Sequence, residues 1–152
     1  MSTPEDRLAE LGLTLPPVAA PLAAYLPALR SGSLVFTSGQ LPTVSGELIA
    51  AGLVGRDVSL EQAVDGARLC ALNALAAVRE VVGELSAVRR VVKVVGYVAS
   101  ADGFYEQPQV INGASELLGE VFGDAGKHAR SAVGVAALPR NAPVELELIV
   151  EV

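Results

Sequence analysis

The residues best suited to chemistry lie between Ala129 and Glu147. Arg130 begins an apolar, alternating segment, a turn containing prolines follows, and Glu145 and Glu147 then alternate with apolar residues in a second predicted strand. A guanidinium can hold a carboxylate through two parallel hydrogen bonds, and a carboxylate side chain can orient or deprotonate a water molecule. Together these groups would suit hydrolysis of a small anionic metabolite. Structural roles compete with this, because an arginine can form a surface salt bridge and alternating glutamates can line a solvated strand face.

The composition predicts one compact domain over residues 1–152, with residues 1–24 forming an N-terminal helix and a proline-rich arm. The chain is 51% hydrophobic but 4% aromatic, without Trp, and its mean hydropathy is +0.47. Its core must therefore be built from Ala, Val and Leu. A chain this small and this apolar favours an oligomer, because association buries apolar surface that a single copy would expose to water.

Charge and rare residues exclude several classes of function. The net charge of −6 and the pI of about 4.7 make nucleic acid an improbable partner. Cys70 is the single cysteine, so an internal disulfide and a cysteine-pair metal site are excluded, and we interpret it as a buried structural thiol. With one histidine as well, we expect neither a metal nor an organic cofactor. An acidic N-terminus and the lack of a long apolar run predict a cytoplasmic protein without a membrane segment.

The first part of the chain predicts a short helix, an arm and a hairpin. Thr3 precedes a proline and two acidic residues, which is typical of a helix start, and Gly12 would end that helix. Four prolines between residues 13 and 27 predict an extended arm. Two short strands follow before Gln40, and residues 47–50 predict a further hairpin strand.

The remainder predicts helices alternating with strands. Ser59 begins a capping box for a helix that runs to about Val82 and ends at Gly83. The expected elements after it are a buried central strand at 88–99, a helix at 108–122 and strands at 131–137 and 144–152. We predict a mixed α+β sheet with two helices on one face. Copies of the chain would cover the other, apolar face in a symmetric ring.

Four separated segments, in this order, resemble the RidA/YjgF family of enamine/imine deaminases, also described as endoribonuclease L-PSP-like. They are Tyr25 with Thr37–Pro42, the helix led by Ser59 with its valine-rich strand, Val110–Asn112, and Arg130 through Glu147. The resemblance implies a chorismate mutase-like α+β fold. It also implies a homotrimer with a central barrel, and active sites in the clefts between subunits.

The resemblance further implies a reaction, namely hydrolysis of 2-enamine or 2-imine intermediates such as 2-aminoacrylate to a 2-keto acid and ammonia. Such a 2-iminobutanoate/2-iminopropanoate deaminase-like hydrolase acts in metabolite damage control. Arg130 would hold the substrate carboxylate, and Glu145 would position or activate the attacking water. Because the imine carbon is already electrophilic, positioning and charge neutralisation suffice for catalysis.

The same resemblance assigns four further residues, each with a plainer alternative. Tyr25 and Ser38 would contact the reacting end of the substrate, although Tyr25 could be a packing residue and Ser38 a turn hydroxyl. Gly39 would offer a backbone N–H to the anion, and Asn112 would line the pocket or brace helix packing. His128 lies two residues before Arg130, so it could face the same side and carry protons, although a lone loop histidine is usually solvated.

The chain also departs from the deaminase pattern. Ala132 stands where the deaminase branch often has Cys, and the arm before Tyr25 and the stretch from Ala99 to Asn112 are longer than in short members. These departures predict a divergent subgroup. The alternative function is a non-catalytic trimer that binds a small carboxylate in the same cleft. Endoribonuclease activity, ascribed to some relatives, is disfavoured by the acidic charge.

Overall fold

The computed structural model describes residues 2–21 and 24–152. The helices are α1 (Pro4–Glu10), α2 (Leu60–Val82) and α3 (Gln107–Phe122). The strands are β1 (Ala28–Ser31), β2 (Leu34–Thr37), β3 (Thr43–Val44), β4 (Glu47–Leu48), β5 (Arg90–Ala99), β6 (Ala129–Val135) and β7 (Val144–Glu151). Single 3-10 turns precede β5, follow α3 and precede β7. Within the described ranges, no helix has the length and apolar content needed to cross a membrane.

The helix starts follow the capping signals of the sequence. At α1, the Thr3 side chain accepts the N–H of Asp6 while the Asp6 carboxylate accepts the N–H of Thr3. Ser59 and Gln62 make the same reciprocal pair at α2, which satisfies donors that a helix leaves unbonded at its N-terminus. Gly83, with φ 91°, ends α2 in a conformation that suits glycine. These predicted boundaries are confirmed.

The main sheet has five strands in the order β1-β2-β7-β5-β6. β5 and β6 are parallel, whereas the other neighbours are antiparallel. The prediction of a mixed sheet is therefore confirmed, but the central position belongs to β7 and not to the valine-rich β5. The sequence could not give this order, because β7 pairs with strands that lie far away along the chain.

Two local predictions need correction. The hairpin strand expected at 47–50 is β4, and it pairs with β3 in a separate two-stranded sheet instead of joining the main one. β6 begins at Ala129, two residues earlier than expected, so Arg130 lies within the strand, opposite Val94 of β5. That register fixes the face on which its guanidinium emerges.

Helices cover one face of the sheet, as predicted. Alternate residues of β7 are buried towards α2, whereas Glu145, Glu147 and Ile149 point to the opposite, open face. The valine-rich β5 is likewise buried on its helix side and half-exposed on the other. The run of valines in β5 therefore does not indicate that the strand is buried on both faces of the sheet.

The helix layer packs closely through glycines. A Cβ on Gly113 of α3 would lie 2.2 Å from the carbonyl oxygen of Val64 in α2, and one on Gly96 of β5 would lie 2.3 Å from Cδ1 of Ile111. The two helices thus approach each other and the sheet more closely than a residue with a side chain would allow.

α1 holds the start of the proline-rich arm in place. The Glu5 carboxylate accepts the N–H groups of Leu85 and Ser86 at 2.6 and 3.3 Å, and Arg7 donates to the carbonyl of Val121 at 3.3 Å. As predicted, the described residues 13–21 contain no helix or strand, and buried Leu15 attaches them to the core.

Candidate functional site

The first part of the candidate site forms where the chain after β2 runs beside β7. Gln40 and Leu146 exchange backbone hydrogen bonds of 2.7 and 3.0 Å, which holds the preceding Gly39 against Glu145. A Cβ on Gly39 would lie 2.8 Å from Cδ of Glu145, so a side chain at this position would displace the Glu145 carboxyl group. The close backbone approach expected at Gly39 is therefore towards the Glu145 carboxyl group.

Glu145 and Gly39 lie in a cleft of about 730 Å³. The arm residues 16–21 line it, together with residues 39–41, Thr43, residues 45–46, Asn73, Pro139 and Arg140. Tyr25, one of the sequence-predicted site residues, also lines this cleft. Its volume is within the range of about 300–1,000 Å³ that holds small-molecule ligands.

Two carboxylates and a tyrosine set the electrostatics of the cleft. Burial, and then the nearby charge of Glu147, raise the pKa of Glu145 above its usual range. The hydroxyl of Tyr97 donates to Glu147, and this bond together with burial raises the pKa of Tyr97 to about 12, so the phenol stays protonated. The Glu147 carboxylate is thus hydrogen-bonded to Tyr97, and Glu145 is the carboxylate that lines the cleft. Tyr97 was not predicted as a site residue.

Loops at the rim of the cleft hold unusual backbone conformations. Ser45, Arg140 and Asn141 have φ values of 52°, 59° and 62°, in the left-handed region that non-glycine residues rarely occupy. Arg140 donates to the carbonyl of Gly46 at 2.9 Å and thereby joins two of the loops. Such conformations cluster at ligand sites, where the surroundings hold the backbone in place.

Ser38 and Cys70 lie close to the cleft in structural roles. The Ser38 hydroxyl donates to the carbonyl of Leu26 and its N–H donates to the carbonyl of Pro27 at 2.8 Å, so Ser38 fastens the start of β1 to the end of β2. Its oxygen can still accept a hydrogen bond. Cys70 is fully buried below Val144, as predicted, and burial raises the pKa of its thiol well above the usual range.

The second part of the candidate site surrounds Arg130 in a smaller pocket of about 330 Å³ between α3 and the start of β6. The Nη1 atom of Arg130 donates to Oδ1 of Asn112 at 2.8 Å and to Oγ of Ser115 at 3.2 Å. Nη2 lies 3.4 Å from the carbonyl of Pro108. Asn112 therefore braces the arginine as well as lining the pocket.

His128 completes a short chain of hydrogen bonds to Arg130. Its Nδ1 lies 2.6 Å from the carbonyl of Gly126, so Nδ1 carries a proton and donates to that carbonyl. Ser115 Oγ lies 2.9 Å from Nε2 and accepts from Arg130, so it links the two side chains. Sequence reasoning missed Ser115, although its spacing of three residues from Asn112 on a helix was an available signal.

The two parts lie on opposite faces of the sheet within one chain. Arg130, opposite buried Val94, points to the helix side, whereas Glu145, opposite Tyr97, points to the open face. The structure thus brings Asn112 to Arg130, and Tyr25 and Gly39 to Glu145. It does not join Arg130 to Glu145 in one pocket. In the part of the chain that is described, no group of three or more His, Cys, Asp or Glu side chains could hold a metal ion.

A family model agrees with this architecture. The model described as "YjgF/chorismate mutase-like, putative endoribonuclease" matches residues 5–152. The chain belongs to this family, and the resemblance of its motifs and its mixed α+β fold are thereby confirmed.

Similar proteins extend over nearly the whole chain. The structure of protein Atu1372 from Agrobacterium tumefaciens is 51% identical, covers 99% of this chain and 92% of its own, and superposes with a TM-score of 0.91. Protein TCP17 of Trypanosoma cruzi is 41% identical over 95% of this chain and 91% of its own length. TdcF of Escherichia coli, solved with bound serine, is 27% identical with a TM-score of 0.61, and covers 91% of this chain and 94% of its own.

Proposed function

We propose that this protein hydrolyses reactive 2-enamine or 2-imine intermediates to a 2-keto acid and ammonia. The observation that carries the proposal is the braced guanidinium of Arg130, held by Asn112 and Ser115 at the edge of a small pocket. A fixed guanidinium can take a substrate carboxylate through two parallel hydrogen bonds at little cost in side-chain entropy. The serine bound to the related TdcF is a carboxylate-bearing molecule of the same size class.

Glu145 supplies the acid–base chemistry in this proposal. The imine carbon is electrophilic once its nitrogen is protonated, so water adds to it as Glu145 takes up one of the water protons. Glu145 then returns that proton to the amine nitrogen of the tetrahedral intermediate. The C–N bond then breaks and ammonia leaves, while the hydroxyl group of the intermediate gives up its proton to the ionised Glu145 or to water and becomes the carbonyl of the keto acid. A carboxyl group whose pKa is raised by burial is a stronger base when ionised and a ready proton donor when protonated.

The two parts of the site meet between subunits in this proposal. β6 is an edge strand, and the open face of the sheet exposes Leu29, Phe36 and Val133. Three copies that bury these open faces against one another would bring the edge strand of one subunit to the Glu145 cleft of its neighbour. A site built from both parts therefore needs more than one subunit, and the trimer implied by the sequence resemblance would meet that need.

The direct test is release of keto acid from 2-aminoacrylate, generated in the assay by a serine dehydratase. Arg130→Ala and Glu145→Gln should each lower kcat/KM by about 100-fold or more, since each removes a group that acts on the reacting substrate. Arg89→Ala, at an exposed arginine outside both pockets, is the matched control and should retain full activity. A wild-type protein that does not accelerate the reaction would contradict the proposal.

Mixed oligomers test whether the site is shared. When Arg130→Ala and Glu145→Gln subunits are unfolded together and refolded in equal amounts, about a quarter of the sites in a cyclic trimer should combine both intact groups. Activity should therefore return to about a quarter of the wild-type value. If both groups came from one subunit, the mixture would stay inactive.

The same assays separate the two alternative functions. Should the wild type be inert while pyruvate raises its Tm only when Arg130 is present, the protein is a carboxylate-binding relative without catalysis. Endoribonuclease activity, which appears in the description of the family model, is opposed by the net charge of −6. A salt-sensitive shift of RNA by the pure protein would support it instead.

A further inference from the structure

The proline-rich arm forms a continuous apolar wall on the Glu145 cleft. All six residues from 16 to 21 line it, and they are three prolines, one valine and two alanines. Prolines have no backbone N–H, and none of the six side chains is polar. This wall therefore offers a ligand little hydrogen bonding and a large apolar surface.

Contacts within the chain hold the start of the arm in place. After α1, the N–H of Leu13 donates to the carbonyl of Leu8 at 2.8 Å, and Leu15 is 8% exposed. Val18, on the wall itself, packs against the core while also lining the cleft. Because proline fixes φ, ordering this wall on binding costs less entropy than ordering a flexible loop would.

Two of the polar side chains that line the cleft already form hydrogen bonds within the chain. Asn73 donates to the carbonyls of Leu41 and Thr43 at 3.0 and 3.2 Å. Arg140 donates to the carbonyl of Gly46 at the rim. The carboxyl group of Glu145 thus faces a space that ends in an apolar wall.

The size of the cleft exceeds what the smallest imino acids need. A three-carbon imino acid has a methyl or methylene group as its side chain, and it would fill a small part of the roughly 730 Å³ that the cleft has in the single chain, where it reaches the arm. Unfilled apolar surface contributes nothing to binding, whereas a larger apolar side chain would remove that surface from water.

We infer that the preferred substrates are 2-imino acids with branched or aromatic apolar side chains, seated against arm residues 16–21. This inference rests on the proposed function and specifies its substrate class. The carboxylate lies on Arg130, the imine carbon lies at Glu145, and the side chain extends to the arm. The arm is then the specificity-determining element of the enzyme.

The test compares imines that an L-amino acid oxidase produces from alanine, leucine and phenylalanine. Keto-acid release is measured above the spontaneous rate. Values of kcat/KM for the leucine- and phenylalanine-derived imines should exceed that for the alanine-derived imine by about tenfold or more, the discrimination expected of an apolar pocket. No acceleration with any imine would refute the proposed function itself. Acceleration with equal preference, or with a preference for the three-carbon imine, would overturn this inference alone.

Substitutions on the arm decide whether the arm carries the preference. Val18→Asp should lower the ratio of the leucine to the alanine value by about tenfold, because it places a charge on the apolar wall. Val18→Thr, nearly equal in shape, should lower the ratio in the same direction and serves if the aspartate variant fails to fold. Thr14→Asp, an exposed arm residue that does not line the cleft, is the matched control and should keep the ratio within about twofold. A preference that survives both Val18 variants would overturn the inference.

Discussion

Ionised Glu145 lowers the stability of the folded protein, and the same group is the acid and base of the proposed reaction. Its pKa is raised in the folded protein, so the ionised carboxylate destabilises the fold at pH values above that pKa. Glu145→Gln should therefore be more stable than the wild type at pH 7, as measured by urea unfolding. The advantage should shrink as the pH falls and vanish below the ordinary carboxyl value of 4.5. A solvated strand glutamate would show no difference at either pH, and equal stability at pH 7 would contradict the prediction.

Ser115 is expected to act as a positioning residue for Arg130. Ser115→Ala removes one acceptor from the guanidinium and the hydrogen-bond partner of His128 Nε2, while Asn112 still holds Arg130. The variant should raise KM about three- to tenfold with little change in kcat, because the loosened arginine binds the substrate and the reacting complex equally less well. Ser115→Thr keeps the hydroxyl and should restore KM. An unchanged KM in the alanine variant would show that Ser115 does not position Arg130.

At the residue scale, the sequence indicated which side chains could do chemistry but not their partners. Arg130 stood out by type and position, whereas Glu145 was chosen over Glu147 through the family resemblance, and both residues line pockets. Tyr97 gave no such signal, and the helical spacing of Ser115 from Asn112 does not by itself reveal a role, because both roles come from contacts across strands and between helix and strand. Their partners are 50 and 15 residues away along the chain. Such contacts depend on register, which local patterns do not specify.

At the scale of elements, the packing of α2 against α3 predicts that replacing glycine by alanine at two positions of α3 changes the stability of the protein in opposite directions. Gly113→Ala should destabilise the protein by about 2–3 kcal/mol, since the new Cβ would meet the rigid backbone of Val64 at 2.2 Å. Gly119→Ala meets nothing within 4 Å and should stabilise it by about 0.5–1 kcal/mol through helix propensity. Denaturant unfolding of both variants measures this. Two changes of the same sign would contradict the packing argument.

Helix boundaries were predictable because their signals are local. Capping boxes at Thr3 and Ser59 and the glycine after α2 fixed three helix ends to within a residue or two. The start of β6 was placed two residues late and β7 was not identified as central, because both features follow from pairing between distant strands. From the sequence we could therefore predict which helices and strands form better than how they are arranged.

At the scale of the whole molecule, the open face of the sheet predicts self-association. Phe36 is 37% exposed on this face, and Phe36→Asp would place a charge where copies are proposed to pack. Light scattering should give three times 15.6 kDa for the wild type and a smaller mass for the variant. Val81→Asp, at a residue 36% exposed on α2, is the matched control and should leave the mass unchanged. A wild-type monomer would contradict both the assembly and the shared site.

The position of β7 also has a consequence for biosynthesis. β1 pairs with β2 and β5 pairs with β6, but these two pairs are joined to each other through β7 alone among the described strands. β7 is synthesised after all of them, so a nascent chain on the ribosome carries two separate strand pairs with unpaired edges at β2 and β5. Unpaired edges associate readily with other chains. The five-stranded sheet can therefore be completed only after the central strand has been synthesised.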